Sequence, residues 1–303
     1  MNIINAICNL VKNPQYKLKQ YATSRNRVNN MGESLEEYIK DLFAGVSADV
    51  SPEVRDAMIQ NAFSYTGNQN NPPDAMLWAG DAIEVKKIES KNSALALNSS
   101  YPKHKLYSDS SMISSACREA ENWVEKDIIY AVGILDKAKE QLSSLAFVYG
   151  EDYCASKEIY ERIKNTIKCG VENIPDIEFT ETKELGHVNR VDPLGITYLR
   201  VRGMWGIENP FKTFEQYYQR NDENLFNFMC IINNEKFYSF DNSQDLENLS
   251  LENNNLSISD IYIKNPDNPS RLVPAKLISF FIKGSKNESN YFIFWCWRFR
   301  FRV

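Results

Sequence analysis

Histidine is nearly missing from this chain: His104 and His187 are the two among 303 residues. That scarcity excludes most histidine-rich metal centres and leaves few options for a Ser/His/Asp or Cys/His catalyst, so any chemistry must rest on carboxylates and lysines. Cysteine is present but unorganised. Cys8, Cys117, Cys154, Cys169, Cys230 and Cys296 show no CxxC spacing, which argues against zinc ribbons and a disulfide framework. No apolar run is long enough to span a bilayer, and the opening MNIINAICNLVKNPQYKLK has no small-residue cleavage site, so a cytoplasmic protein with no membrane partner is expected. Positive charge is also short. The formal net charge is −5, so no global field draws in nucleic acid, and such a partner would need a local basic surface.

What is there reads as a soluble globular chain, 43% hydrophobic and 25% charged, long enough for one large or two fused domains. Apolar spacing predicts helices over residues 2–12, over MGESLEEYIKDLFAGV with Gly45 as a stop, and over SPEVRDAMIQNAF with Ser51 as N-cap and Pro52 in the first turn. Strands are expected at FSYTGNQ, before Gly80 and after it. SALALNSSYPKHKLYSDSS should begin as a short helix, and ISSACREAENWVEKD should form an amphipathic one burying Ile113, Ala116, Ala120, Trp123 and Val124. DIIYAVGIL and SLAFVYG are apolar enough for central strands, and ASKEIYERIKNTIKCGV is helical. Beyond Pro175 the texture turns to β: GITYLRVRGMW, a hairpin FNFMCII-NN-EKFYSF, AKLISFFIKG and YFIFWCWRFRFRV, with FKTFEQYYQ helical and DNSQDLENLSLENNNLSISD an exposed connection. The fold class is α/β, a mixed central sheet flanked by helices, divided as residues 1–175 and a β-rich part 176–303.

The most informative stretch is NNPPDAMLWAGDAIEVKKI, Asn70 to Ile88. On a strand, Glu84 and Lys86 project to one side about 7 Å apart while Ile83 and Val85 point to the other. A turn at Gly80 brings Asp74 back beside Glu84. Two hard oxygen ligands with a neighbouring lysine suit Mg²⁺ and a phosphate. Glu-x-Lys alone is common on surface strands; the conjunction with Pro73-Asp74 and the turn is what informs. Glu36, at the margin of the second helix's apolar stripe, is a further candidate, though an exposed helix glutamate is the commoner case. Glu33 and Glu37 read as solvated charges.

Basic residues outnumber acids from Asp81 to Lys105, so Lys87, Lys103 and Lys105 are candidate phosphate contacts, with a solvated loop the bland alternative. Arg200 and Arg202 share one face of TYLRVRGMW, with Leu199 and Val201 on the other. Arg298, Arg300 and Arg302 alternate with aromatics in the last strand. Such arginine rows can meet phosphates or guanine edges, or simply protect an edge strand from aggregation.

Pro73-Asp74 and Glu84-Val85-Lys86 resemble the PD-(D/E)xK nuclease superfamily. More of the chain, namely MGESLEEYIKDLF, FSYTGNQNNPPD, GDAIEVKKIESKNSALALNSSYPKHKL and EKDIIYAVG, is similar to the NgoPII-like family of type II restriction endonucleases, a likeness running through most of residues 1–210. The resemblance implies a Mg²⁺-dependent enzyme, with Mn²⁺ able to substitute, that cuts both strands of DNA at a short palindrome, GGCC, and leaves 5′-phosphates. It implies that Asp74 and Glu84 hold the metal, that Lys86 is the motif lysine and that Glu36 is the upstream helix glutamate. A cognate DNA methyltransferase is the implied partner in the same system. A palindrome cut on both strands is most simply served by a homodimer. The alternatives are a nuclease of this fold acting on modified, damaged or branched DNA, a DNA-binding protein with an inert carboxylate hairpin, and a protein-interaction module.

Overall fold

The computed structural model describes residues 1–18, 27–47, 49–136, 141–180, 182 and 185–284, with side chains from residue 34 onward in the second segment. The expected terminal strand, with Arg298, Arg300 and Arg302, lies outside the described residues, as does the side chain of Glu33.

Three helices lead. In α1 (Ile3–Lys12), Asn2 and Asn5 cap each other reciprocally, and Ile3, Ile4, Ile7, Leu10 and Val11 are buried, the stripe their spacing predicts. The second helix, α2 (Arg27–Ala44), buries Leu35, Ile39, Leu42 and Phe43 and stops before Gly45. Ser51 caps α3 (Pro52–Ala62) by accepting from Val54 N. Strands β1 (Phe63–Tyr65), β2 (Ala75–Leu77) and β3 (Ala82–Ile88) follow, then β4 (Leu95–Asn98), β5 (Lys105–Tyr107), α4 (Ser115–Glu119), β6 (Glu125–Asp136), β7 (Gln141–Tyr149), α5 (Gly150–Tyr153) and α6 (Lys157–Glu172). The remainder is β8 (Glu178–Thr180), β9 (Gly186–Asn189), β10 (Leu199–Val201), β11 (Trp205–Ile207), α7 (Pro210–Thr213), β12 (Asn224–Asn233), α8 (Asn234–Tyr238), α9 (Ser243–Glu252), β13 (Leu256–Lys264) and β14 (Leu272–Lys283).

Among the described residues a mixed nine-stranded sheet carries the fold, in the order β1-β2-β3-β6-β7-β12-β14-β13, with β5 paired to β6. The β3–β6 and β7–β12 pairs are parallel and their neighbours antiparallel. Period-two alternation splits each strand between two cores. Ile83 and Val85 of β3, Ile129 and Ala131 of β6, Leu145 and Phe147 of β7, and Phe226 and Phe228 of β12 meet the apolar stripes of α1 and α2 together with Leu246 of α9. Ala82, Tyr130, Val132, Ala146, Val148 and Met229 face the other way, onto Leu95, Leu106, Ile113, Cys117, Phe211 and Phe214. Each fully buried aliphatic or Phe side chain contributes about 1.5–3 kcal/mol. Helices seal the first face; short strands, loops and small helices cover the second, and there an opening remains over β3. Among the described residues no helix is long and apolar enough to cross a membrane.

Several local expectations are corrected. Residues 95–98 are strand β4, paired with β11, not a helix: Leu95 is buried and Ala96 exposed, an alternation that overrides alanine's helical preference. The amphipathic helix near residue 115 spans five residues, with Val124 77% exposed. FKTFEQYYQ yields one short helical turn, α7. Asn233-Asn234 is not a hairpin turn; Asn233 caps α8 by accepting from Lys236 N, a role asparagine fills as readily as a turn. The stretch 241–260, expected as an exposed connection, contains α9 and the start of β13, α9 anchored by buried Leu246. Leu199 is 53% exposed, so Arg200 of β10 is not backed by core; β10, β9 and β8 form a separate small sheet. Glu37 is ion-paired, not free in solvent, to Lys40 at 2.9 Å and Arg55 at 2.6 Å.

Candidate active site

The hairpin β2–β3 places Asp74 and Glu84 together. Ala75 pairs with Ile83, and Asp74 N donates to Ile83 O at 3.0 Å, so Asp74 enters the hairpin level with the strand that carries Glu84. Its carboxylate folds back: Asp74 Oδ2 accepts from Val85 N at 2.6 Å. Gly67 makes the approach possible, because its φ of +86° favours glycine and a Cβ there would lie 2.3 Å from Asp74 O. Ile83 and Val85 anchor β3 in the helix-covered core, which turns Glu84 and Lys86 to the open face.

Lys86 Nζ lies 2.5 Å from Glu84 Oε1 and 3.3 Å from Val85 O. The second carboxylate oxygen, Glu84 Oε2, is buried with no hydrogen-bond partner. Burial, and then the Glu84 charge, push the Asp74 carboxyl up to about 8, while Lys86 pulls it down. Burial alone would lower the Lys86 ammonium, but Glu84 and Asp74 outweigh it and hold the group above its usual value. Two carboxylates are thus forced together with one lysine and an unsatisfied oxygen, an arrangement that a divalent cation relieves.

The residues fit such an ion. Among the described residues no group of three or more His, Cys, Asp and Glu side chains gathers around a metal position, so an ion here would have two carboxylates and complete its shell with water, backbone and phosphate oxygens. Mg²⁺ is held in that way, by one or two carboxylates with its remaining positions left to waters and substrate.

The three side chains line a cavity of about 380 Å³ whose walls also include Asn71, Tyr101, Lys103, Tyr130 and Arg202. Two of these change the sequence reading. Arg202, just past the end of β10, lines this cavity, whereas Arg200 sits on the small sheet opposite His187 and does not. Tyr130 was missed: it faces Glu84 across the β3–β6 pair, and its hydroxyl accepts from Lys103 N at 2.7 Å. One tyrosine inside the apolar run DIIYAVGIL was the available signal. Lys103 shares the cavity, and burial, with Lys164 and Lys157 nearby, pushes its ammonium down to about 8 against the opposing pull of Glu84.

Other candidates sit apart. Strand alternation puts Lys87 on the opposite face from Glu84, with Glu89 at 3.7 Å. Lys105 is paired to Glu125 at 3.0 Å and Asp127 at 3.4 Å. Glu36, on α2, is outside the cavity wall. Burial raises its carboxyl, and the charges of Lys40, Lys86 and Glu84 all reach it.

Paired carboxylates, a lysine and an arginine around one cavity are the residue types that metal-assisted phosphodiester hydrolysis uses. The comparisons with known proteins are narrower. The NgoPII restriction endonuclease family model matches residues 1–264, which extends the likeness past residue 210 through β12 and β13. The type II restriction enzyme NgoPII of Neisseria gonorrhoeae is 60% identical over 280 residues, covering 92% of this chain and 99% of the relative. This chain belongs to the NgoPII restriction endonuclease family. No solved structure matches it.

Proposed function

We propose that this chain, a type II restriction endonuclease by family, hydrolyses both strands of DNA at the Asp74–Glu84–Lys86 site with Mg²⁺, or Mn²⁺ in its place. The observation that carries the reading is Glu84 Oε2, buried without a partner beside a second carboxylate. Such an oxygen costs stability unless a cation meets it. The chemistry Mg²⁺ supplies at such a site is Lewis-acid charge on a phosphoryl oxygen and a lower pKa for an attacking water. The protein does the rest. Val85 N fixes the Asp74 carboxylate, and Lys86, 2.5 Å from Glu84, orients the water or offsets charge building on phosphorus. Arg202, in the cavity wall, is suited to a phosphate oxygen; Arg200, exposed on β10, is left for groove or backbone contact with Lys87, Lys103, Lys105, Arg298 and Arg300. Glu36 acts at a distance, through the charge it presents to Lys86.

The proposal includes a PD-(D/E)xK core, in which a hairpin and the parallel strand beside it carry the motif. Residues 1–175 supply catalysis and 176–303 recognition. The target is the palindrome GGCC, cut by a two-fold homodimer with one site per subunit, in the cytoplasm beside a methyltransferase that protects the same sequence. Incubating a plasmid of known sequence with protein and Mg²⁺ should give discrete fragments whose ends map to that palindrome, and none with chelator. Bound but intact DNA with both Mg²⁺ and Mn²⁺, or cutting confined to modified or branched DNA, would overturn it.

A further inference from the structure

A second cavity, of about 220 Å³, opens between residues 99–112 and α6, and it shares Tyr101 and Lys103 with the catalytic cavity. We propose that it binds a backbone phosphate of the same DNA strand, next to the phosphate being cut, with Lys157 and Lys164 of α6 as its cationic wall. The proposal rests on the nuclease reading above, which supplies the strand.

Helix α6 has no fully buried residue, so core packing does not explain its place. It is held by aromatic contacts instead. Tyr160 stacks on Tyr101 at 5.4 Å and meets Trp205 edge-on at 5.7 Å, and Tyr101 donates to Glu161 at 3.2 Å. Those contacts lock the helix against the rim of the catalytic cavity. Lys157, Glu161, Lys164 and Lys168, at i, i+4, i+7 and i+11, form one stripe on α6, and the first three line the second cavity.

The charge balance there favours an anion. Lys103, Lys105, Lys157 and Lys164 face Asp109 and Glu161. That is four ammonium groups to two carboxylates at the cavity wall, with Lys105 also meeting Glu125 and Asp127 outside it. Lys157 lies 3.8 Å from Glu161 and over the Tyr107 ring at 5.3 Å, leaving it directed at the cavity. The volume admits a phosphodiester group and its water and excludes a duplex. Successive phosphates on a strand advance about 3.4 Å along the axis, so a strand leaving the catalytic cavity past Lys103 enters the second one at once.

The test is the salt dependence of binding by the full-length protein to a duplex bearing GGCC, in chelator so that no cutting occurs. Each lost phosphate contact should flatten the slope of log K against log salt by about 0.9. Lys157→Ala and Lys164→Ala together should show this drop once, and each alone should show part of it. In a scan placing one neutral methylphosphonate at a time along the strand, the double variant should become insensitive at a single position. Lys168→Ala, on the same stripe but outside the cavity, should keep the parent slope, and Lys164→Arg should restore it. An unchanged slope and scan in the double variant overturn the subsite while leaving the nuclease reading intact. An equal drop in Lys168→Ala overturns it too, because the effect is then a diffuse field. Absence of salt-sensitive DNA binding by the parent protein would remove the reading beneath it.

Discussion

Replacing Asp74 with asparagine separates what the carboxylate does for the fold from what it does for the reaction. Asparagine keeps the shape, and its carbonyl oxygen can still accept from Val85 N, the 2.6 Å bond that fixes Asp74. What is lost is the capacity for a negative charge beside Glu84, which the metal-free site already resists: burial and then the Glu84 charge push the Asp74 carboxyl up to about 8, so near pH 7 it is mostly neutral. In metal-free protein that loss is neutral or favourable, so Asp74→Asn should unfold in urea within about 0.5 kcal/mol of the parent or up to about 1 kcal/mol above it. Cutting should behave oppositely. Losing one of two anionic metal ligands removes several kcal/mol of transition-state stabilisation, and about 4 kcal/mol corresponds to about a thousandfold in rate. Paired urea titrations in chelator and single-turnover cleavage assays in Mg²⁺ measure both. Parent-like cutting by Asp74→Asn refutes the site; a variant destabilised like a core truncation refutes the electrostatic account of it.

Other consequences follow from the supporting structure. Lys236 Nζ lies 2.7 Å from Asp81 and 2.6 Å from Asp127 beside the β2–β3 hairpin, so Lys236→Met should cost about 3 kcal/mol in urea unfolding, and pairing it with Asp81→Asn should recover part of that. Burial pushes the Asp152 carboxyl up to about 7 although Asn233 donates to it, so the folded state holds that proton more tightly than the unfolded chain. Its contribution to stability is fullest below about pH 4, falls as pH rises toward about 7 and is flat above, by up to about 4 kcal/mol in total. Asp152→Asn should flatten that stretch of the stability–pH curve, and an unchanged curve would refute the assignment. A Cβ at Gly150 would lie 2.5 Å from the carbonyl oxygens of Lys103, which lines both cavities, and His104, which lines the second. Gly150→Ala should therefore lose about 1–3 kcal/mol of stability and also weaken DNA binding; binding at parent affinity would mean that the wall does not touch the strand.

Strand β3 was legible because its period is plain: in AIEVKKI the alternation assigns Ile83 and Val85 to one face and Glu84 and Lys86 to the other whatever the surroundings. The cavity over that face was not, since Tyr101, Lys103 and Arg202 reach it through connections that no local pattern encodes. Arg202 looked like the twin of Arg200 by strand spacing, but β10 ends at Val201 and the two part company. In α9 the polar side chains hid a helix whose inward face is little more than Leu246 and Leu249. Lys157 and Lys164 gave no signal alone, because lysines at helical spacing are usually a solvated face; the aromatic contacts of Tyr160 decide where that face points.

The central claim is that Asp74 and Glu84 share the ion on which cutting depends. Soaking crystals of the protein in Mn²⁺ and locating the ion by its anomalous scattering tests it most directly. The account predicts a peak between the two carboxylates, within about 2.0–2.3 Å of an oxygen of each, at the now unpartnered Glu84 Oε2. An ordered Mn²⁺ held by other residues, with no peak at Asp74 and Glu84, would contradict it.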